Sequence, residues 1–360
     1  MSNNERGGNA PKVVVVTGAS MFLGGYLVTK LAQNPQIDRV IAVDEKTPSK
    51  DMLRRMGRAE FIRADIRNPL ISKVIAGNEV DTVVHAATLS RPPKSGSRTA
   101  MKDANVLGAM QLFAVCQKTP SVRKVVLRSS TTVYGCSAKD PVKFTEEMSA
   151  HRPPRSAFAR DTIEVEGFAR GLARRRPDIA ISVLRLAPTV GPDLNAASPR
   201  VISSPVVPSV FGRDARLQLL HEEDALAALE RATVAGPAGT FNVAGDGVLM
   251  YSQAIARAGR LELPMPFFLF QGIGRALMDP AMRSVDPGQL DFFRFGYAVD
   301  TTRMRTVLGF EPRWTTMQAY DDFIRGAALR PVIKPDWIDA AEAGLLRLVG
   351  ANTGAKAGTR

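Results

Sequence analysis

The residues best placed to do chemistry begin near the N-terminus. Val13-Val14-Val15-Val16 is a β-branched run, and Thr17-Gly18-Ala19-Ser20-Met21-Phe22-Leu23-Gly24 follows it into a helical pattern from Phe22 to Ala32. A tight glycine turn between a strand and a helix aims backbone N–H groups at one point, and that point suits a pyrophosphate. Asp44 closes the next apolar run, Arg39 to Asp44, 26 residues after Gly18. A carboxylate there accepts hydrogen bonds from both adenosine ribose hydroxyls and repels a 2′-phosphate, so the expected cofactor is NAD rather than NADP. The three histidines, His85, His151 and His221, are far apart in the chain, and the two cysteines, Cys116 and Cys136, form no CxxC. No metal centre and no disulfide framework are expected, and a reducing compartment fits.

These groups need a scaffold that brings strand ends together. Further apolar runs recur at Glu60–Arg63, Thr82–His85, Lys124–Leu127 and Ile181–Leu186, with helical patterns at Met101–Lys118 and Asp161–Arg175 between them. Fully apolar strands alternating with helices predict an α/β fold, a Rossmann-like doubly wound parallel sheet covered on both faces. The expected layout is a flexible arm at 1–11, an NAD-binding domain at 12–190, and a smaller, mostly helical substrate lobe at 191–330. The segment 240–243 should return as a strand to the main sheet. Residues 331–360 should form a C-terminal helix and tail, with Trp337, Ala341, Leu345 and Leu348 on one stripe. Leu217–Leu220 reads as another short strand and Asp224–Ala235 as a helix.

At 360 residues, 45% hydrophobic and 23% charged, the composition is globular. The polar start carries no signal peptide, and the most apolar stretch, Leu261 to Met278, is interrupted by Pro264, Pro266, Glu262 and Arg275. No integral membrane segment is expected. The location implied is cytoplasmic, with membrane contact at most peripheral through the Trp337 stripe. The net charge of +13 favours anionic partners. It is spread along the chain, and Arg174-Arg175-Arg176 reads as a solvated helix end before Pro177. Aromatic residues do not interleave with the arginines as stacking platforms for nucleic acid require, so nucleic acid is disfavoured.

With these residues in view, the chain resembles the extended short-chain dehydrogenases, specifically the NAD-dependent epimerase/dehydratase branch, from about Lys12 to Arg325. The TGxxGxxG motif is matched by Thr17, Gly18 and Gly24, the adenine-side pair by Asp65-Ile66, and the strand-end HAA by His85-Ala86-Ala87. The NxxG motif falls at Asn105–Gly108, and SSxxVYG at Ser130-Thr-Thr-Val-Tyr-Gly135. Leu184-Arg185 with Gly191-Pro192 resembles the hinge into the substrate lobe. Leu219 to Ala225, keeping His221 and Asp224, resembles a further landmark, as do Phe241-Asn242-Val243 and Leu308-Gly309-Phe310.

The resemblance implies that Gly18, Ser20, Met21, Phe22, Leu23, Gly24, Asp44, Asp65, Ile66, His85, Ala86, Ala87 and Asn105 line the cofactor. It gives Ser130 as a catalytic serine, and Arg213, Arg216 and Arg294 as contacts to a nucleotide-sugar diphosphate or another small anionic substrate. It further implies a UDP-glucose 4-epimerase type of activity, an isomerase acting on UDP-sugars. A homodimer, or a heterodimer with a paralogue, would form through the helices near 101–118 and 161–175.

Four positions depart from the pattern. Met21 stands where the phosphate turn has its middle glycine. Pro188 stands where epimerases often have an asparagine. Phe158 and Thr162 occupy the positions of the tyrosine base and of the lysine that activates it. Losing a general base costs about 10²- to 10⁴-fold. Tyr134, four residues after Ser130, is the substitute to examine, and the one literal YxxxK, Tyr26 to Lys30, lies in the first helix, away from hydride chemistry. The function expected is therefore an epimerase/dehydratase-like protein with weak or altered turnover. Two alternatives stand beside it: a silent NAD(H) or nucleotide-sugar binding sensor or partner of an active paralogue, and a basic RNA-associated relative.

Overall fold

The computed structural model describes residues 10–90, 97–194, 202–270, 287–327 and 329. Seven strands build the main sheet: β1 (Val13–Thr17), β2 (Arg39–Asp44), β3 (Glu60–Arg63), β4 (Thr82–His85), β5 (Lys124–Ser130), β6 (Ala180–Leu186) and β7 (Gly239–Val243). Their spatial order is β7-β6-β5-β4-β1-β2-β3, and every neighbouring pair is parallel. The strand order reverses beside β1, between β1 and β4, which is where open parallel sheets bind ligands. This is the doubly wound fold that the strand–helix alternation predicts, with β7 returning to the sheet as expected.

Strand periodicity sorts the apolar residues between two faces. Val14, Val16, Val84, Val126 and Leu184 pack against α1 (Phe22–Gln33) and, through Ala225, Leu226 and Leu229, against the later helix at Glu222–Ala235. Val15, Val83, Val125 and Val183 face α2 (Gly108–Lys118) and α3 (Ala157–Arg175) through Leu112, Phe113, Val165 and Leu172. The helix at Glu222–Ala235 is α4. Because both sheet faces are covered, the strands read as continuous apolar runs.

A second core gathers Val207, Val210, Leu217, Tyr251, Ile255, Phe270, Phe293 and Tyr320. Among the described residues of 252–330 helices predominate, as the sequence pattern suggests, but two strands stand among them. Leu261–Met265 pairs with Val206–Val210, and Gly296–Val299 lies between Arg216–Leu217 and Lys143–Phe144. The predicted strand at Leu217–Leu220 is two shorter ones, Arg216–Leu217 and Leu220–His221, each paired with a different partner. The helix expected over Met101–Lys118 starts earlier, at Arg98, and passes through a π-turn at Asp103–Leu107. The tail at 331–360, with the Trp337 stripe, and most of the arm at 1–11 lie outside the described residues.

Candidate cofactor and substrate cleft

The phosphate turn leaves β1 at Gly18, whose φ of +80° suits glycine. A Cβ on Gly18 would come within 2.7 Å of the Ala87 backbone, and one on Gly24 would run into the Gly18 carbonyl. The two glycines let strand, turn and helix close on each other. The turn is tied to β2 by Gly18 N–H donating to Val43 O at 3.0 Å. At the N-cap of α1, Met21 supplies no side-chain acceptor, and no acidic residue lies in the first turn. The first N–H groups of α1 are therefore left for an external anion, which suits a pyrophosphate.

Asp44 ends β2 beside this turn. Its Oδ2 accepts from Ser20 N–H at 2.9 Å and Ser20 Oγ at 2.8 Å, and its Oδ1 accepts from Lys46 N–H at 3.0 Å. Ser20 is thus placed by Asp44, and the carboxylate keeps a lone pair on Oδ1 for a ribose hydroxyl. Phe22 leans on Tyr26, with ring centroids 4.6 Å apart. Leu23 is buried in the core and contributes its backbone to the turn. On the adenine side, Arg67 holds the Asp65 carboxylate below its usual range through hydrogen bonds of 2.6–3.0 Å. Ile66 packs where a Cβ on Gly108 would otherwise sit.

Two residues expected to line the cofactor support it from behind. His85 is 1% exposed; its Nδ1 lies 2.8 Å from Thr17 Oγ1 and its ring meets the edge of Phe113. Burial, with Arg128 nearby, pulls its pKa down to about 4. It pins β4 to β1 as a neutral ring, and Ala86 and Ala87 carry the chain on toward Gly18. Asn105, also buried, accepts from Leu89 N–H and donates to Leu89 O, both at 2.9 Å, and so clamps the loop after β4.

Ser130 ends β5 and caps the short 3-10 turn Thr131–Tyr134, its Oγ accepting from Thr132 N–H at 3.2 Å. The same turn carries Tyr134, the substitute to examine, into the protein interior. Tyr134 is 1% exposed, stacks on Phe144, donates to Asn242 Oδ1 at 2.7 Å and accepts from Arg185 at 2.8 Å. Burial raises its pKa. A tyrosine in that network has no free proton-transfer path. Arg185 also forks onto Glu166, with contacts of 2.9 and 2.7 Å, and Ser129 donates to the same carboxylate at 2.6 Å. This charged cluster ties β5, β6 and α3 together. Arg185 was visible in the sequence as a landmark, but its pairing with Glu166 was not.

Phe158 stands in the first turn of α3, which Ser156 caps after Pro153-Pro154. Thr162 follows one turn later, buried, with its hydroxyl donating to the Phe158 carbonyl at 2.9 Å. Neither side chain offers a charge or an exchangeable proton to the cleft.

A cavity of about 350 Å³ opens beside this helix start, between the chain after Ser130 and the segment Asp291–Tyr297. Lys139, Arg152, Arg155 and Arg294 line it against Asp140 and Asp291, and Pro188 and Cys136 lie on its wall. Arg294 rests on Phe267 at 4.0 Å and Phe295 at 4.7 Å, and its buried Nε has no hydrogen-bond partner among the described residues. Arg213 lies over the ring of Phe295 at 5.5 Å but is not part of the lining. Arg216 sits on the strand paired with Gly296 and is not part of the lining. Burial raises the Cys136 thiol well above its ordinary pKa, which makes it a wall residue and not a nucleophile. Among the described residues no cluster of side chains could hold a metal, and no helix is long and apolar enough to cross a membrane. His221, singled out as a landmark, caps α4 and stacks on Trp314.

Comparison with known proteins agrees with this architecture. The model of the NAD dependent epimerase/dehydratase family matches residues 14–244. An uncharacterized protein of Mycobacterium tuberculosis is 58% identical over 90% of this chain and 86% of its own. UDP-glucuronic acid decarboxylase 6 of Arabidopsis thaliana is 25% identical over 83% of this chain and 84% of its own. Among solved structures, UDP-glucose 4-epimerase of Thermotoga maritima with UDP-glucose superposes with a TM-score of 0.66 at 18% identity. That match covers 88% of this chain and 98% of the epimerase.

Proposed function

The chain belongs to the NAD dependent epimerase/dehydratase family, with NAD as its cofactor, and we propose that it holds a nucleotide sugar beside that NAD but turns it over weakly. NAD, when bound, supplies a hydride acceptor for a sugar carbon. The rest of the reaction needs a base to take the hydroxyl proton as the hydride leaves. In this chain Ser130 can polarise a hydroxyl, but Phe158 and Thr162 stand in place of the activated base. The observation that carries the reading is Thr162 Oγ1 bonded to the Phe158 carbonyl, with Tyr134 withdrawn into a buried network. The cationic cavity next to Pro188 supports a diphosphate-bearing ligand, with Arg294 as its contact and both Arg213 and Arg216 outside its lining.

The first test is calorimetry with NAD and with UDP-sugars, followed by assay of UDP-galactose to UDP-glucose interconversion. Binding with very slow or absent turnover is expected. Phe158→Tyr combined with Thr162→Lys should raise the rate at least about ten-fold, within the range a general base contributes. Robust wild-type turnover would overturn the reading. The second reading is a silent sensor or the partner of an active paralogue. The same two substitutions favour it, and NAD binding with no activity in either protein would select it.

A further inference from the structure

Arg128 stands in the otherwise apolar strand β5, between Leu127 and Ser129. Strand alternation sends it to the face that Val126 shares with α1, whereas Ser129 reaches Glu166 on the opposite face. Its Nη1 donates to the carbonyl of Ala86 at 3.3 Å. Ala87, the next residue, is the one that lies against Gly18 at the start of the phosphate turn. The guanidinium is therefore fixed at the carboxyl end of the sheet, between the end of β4 and the turn. Arg128 is part-buried, and no carboxylate pairs with it among the described residues. Burial pulls its pKa down to about 10.

A cation in that position costs stability unless an anion meets it. Five N–H donors with a single protein acceptor leave most of the fork free, and its geometry matches a phosphate pair. This chain also lacks two groups that would help to hold a cofactor. Met21 replaces the glycine that lets the backbone approach the pyrophosphate most closely, and Thr162 replaces a lysine. Thr162 and Arg128 border the same small void.

Resting on the reading that NAD occupies this cleft, we propose that Arg128 is a cofactor-positioning residue whose guanidinium pairs with the pyrophosphate of bound NAD. It supplies the positive charge that position 162 no longer carries.

The test uses the full chain and its Arg128→Met and Arg128→Lys variants. NAD and ADP-ribose are titrated by calorimetry at low and high salt, and adenosine is followed by ligand-observed NMR. Arg128→Met should weaken NAD and ADP-ribose about 10- to 100-fold, as expected for charge-assisted hydrogen bonds, and leave adenosine unchanged. Arg128→Lys should recover part of the loss, and wild-type affinity should fall with salt more steeply than that of the Met variant. Without ligand, the Met variant should melt at the wild-type temperature or above it, because it loses an unpaired cation. Equal NAD affinity in wild type and Arg128→Met would overturn the proposal. So would an equal loss for adenosine, which would mark a structural role, or tighter NAD binding by the variant, which would mark an obstruction. Failure of the wild type to bind either NAD or ADP-ribose would overturn the underlying NAD reading instead.

Discussion

Acidification should destabilise this fold through one histidine. His85 is neutral in the native protein, held against Thr17 and Phe113, with burial as the main cause of a pKa near 4 and Arg128 as the second. In the unfolded chain the ring titrates near 6.5. Between those values the unfolded state binds a proton that the folded state refuses, so stability is fully present above about pH 6.5 and falls as the pH drops toward 4. At about 1.4 kcal/mol per pH unit of separation, the loss is about 2 kcal/mol by pH 5 and about 3 kcal/mol by pH 4. The measurement is urea denaturation at about pH 7.5 and about pH 5, for wild type and His85→Gln. Glutamine can still meet Thr17 but does not titrate, so subtracting the two proteins cancels the carboxylates they share. Wild type should lose about 2 kcal/mol more than the variant over this interval. Parallel pH dependence in the two proteins, or an imidazole seen by NMR to titrate near 6.5 in the native state, would refute the assignment.

Three more outcomes are expected. Glu166→Ala should cost about 3–5 kcal/mol in chemical denaturation, because it leaves the buried Arg185 charge unpaired; pairing it with Arg185→Met should return much of that loss, and a single-variant cost below about 1 kcal/mol would contradict the network. Gly18→Ala should destabilise by about 1–3 kcal/mol, since it forces a left-handed φ and a clash with Ala87, and calorimetry should show weaker NAD binding as well. Asp44→Ala should weaken NAD by about 1.5–3 kcal/mol, the range for hydrogen bonds to a charged group; unchanged affinity would remove Asp44 from the site.

The scaffold was legible because most strands are apolar runs rich in β-branched residues and several of the crossovers between them carry a helical period. Gly18, Gly24 and Asp44 were legible for a related reason: they sit at strand ends, where a sequence pattern maps directly onto one edge of the sheet. Side-chain direction at those ends was harder to read. His85 follows Val84 by one residue, so alternation turns it away from α1 and onto Phe113, and a motif match cannot show that. The burial of Tyr134 was not legible, because the four residues after Ser130 form a 3-10 turn that lays its ring on Phe144. Arg128 left a signal that could have been used, a charge inside a strand directly after the run Val125-Val126-Leu127. The short strands Leu261–Met265 and Gly296–Val299 were missed because they are flanked by aromatic residues and prolines whose spacing also suits a helix.

The cleft departs from its family unevenly, and the unevenness bears on what the protein does. On the adenine and pyrophosphate side the backbone is intact: Gly18 and Gly24 close the turn, the first turn of α1 has no competing cap, and Asp44 stands beside it. At the reacting end, the resemblance puts Phe158 and Thr162 where a base and its activating cation would stand, and the threonine hydroxyl is satisfied by its own helix. A catalytic tyrosine cannot be recovered by a local rearrangement, because Tyr134 is locked among Asn242, Arg185 and Phe144. A cation is nevertheless still present at Arg128, held against the Ala86 carbonyl at the end of β4. Arginine there can bind charge but, with a pKa of about 10, stays protonated at neutral pH and cannot act as the missing base. Positive charge is thus separated from proton transfer in this chain, and that separation favours holding a dinucleotide over turning over a sugar.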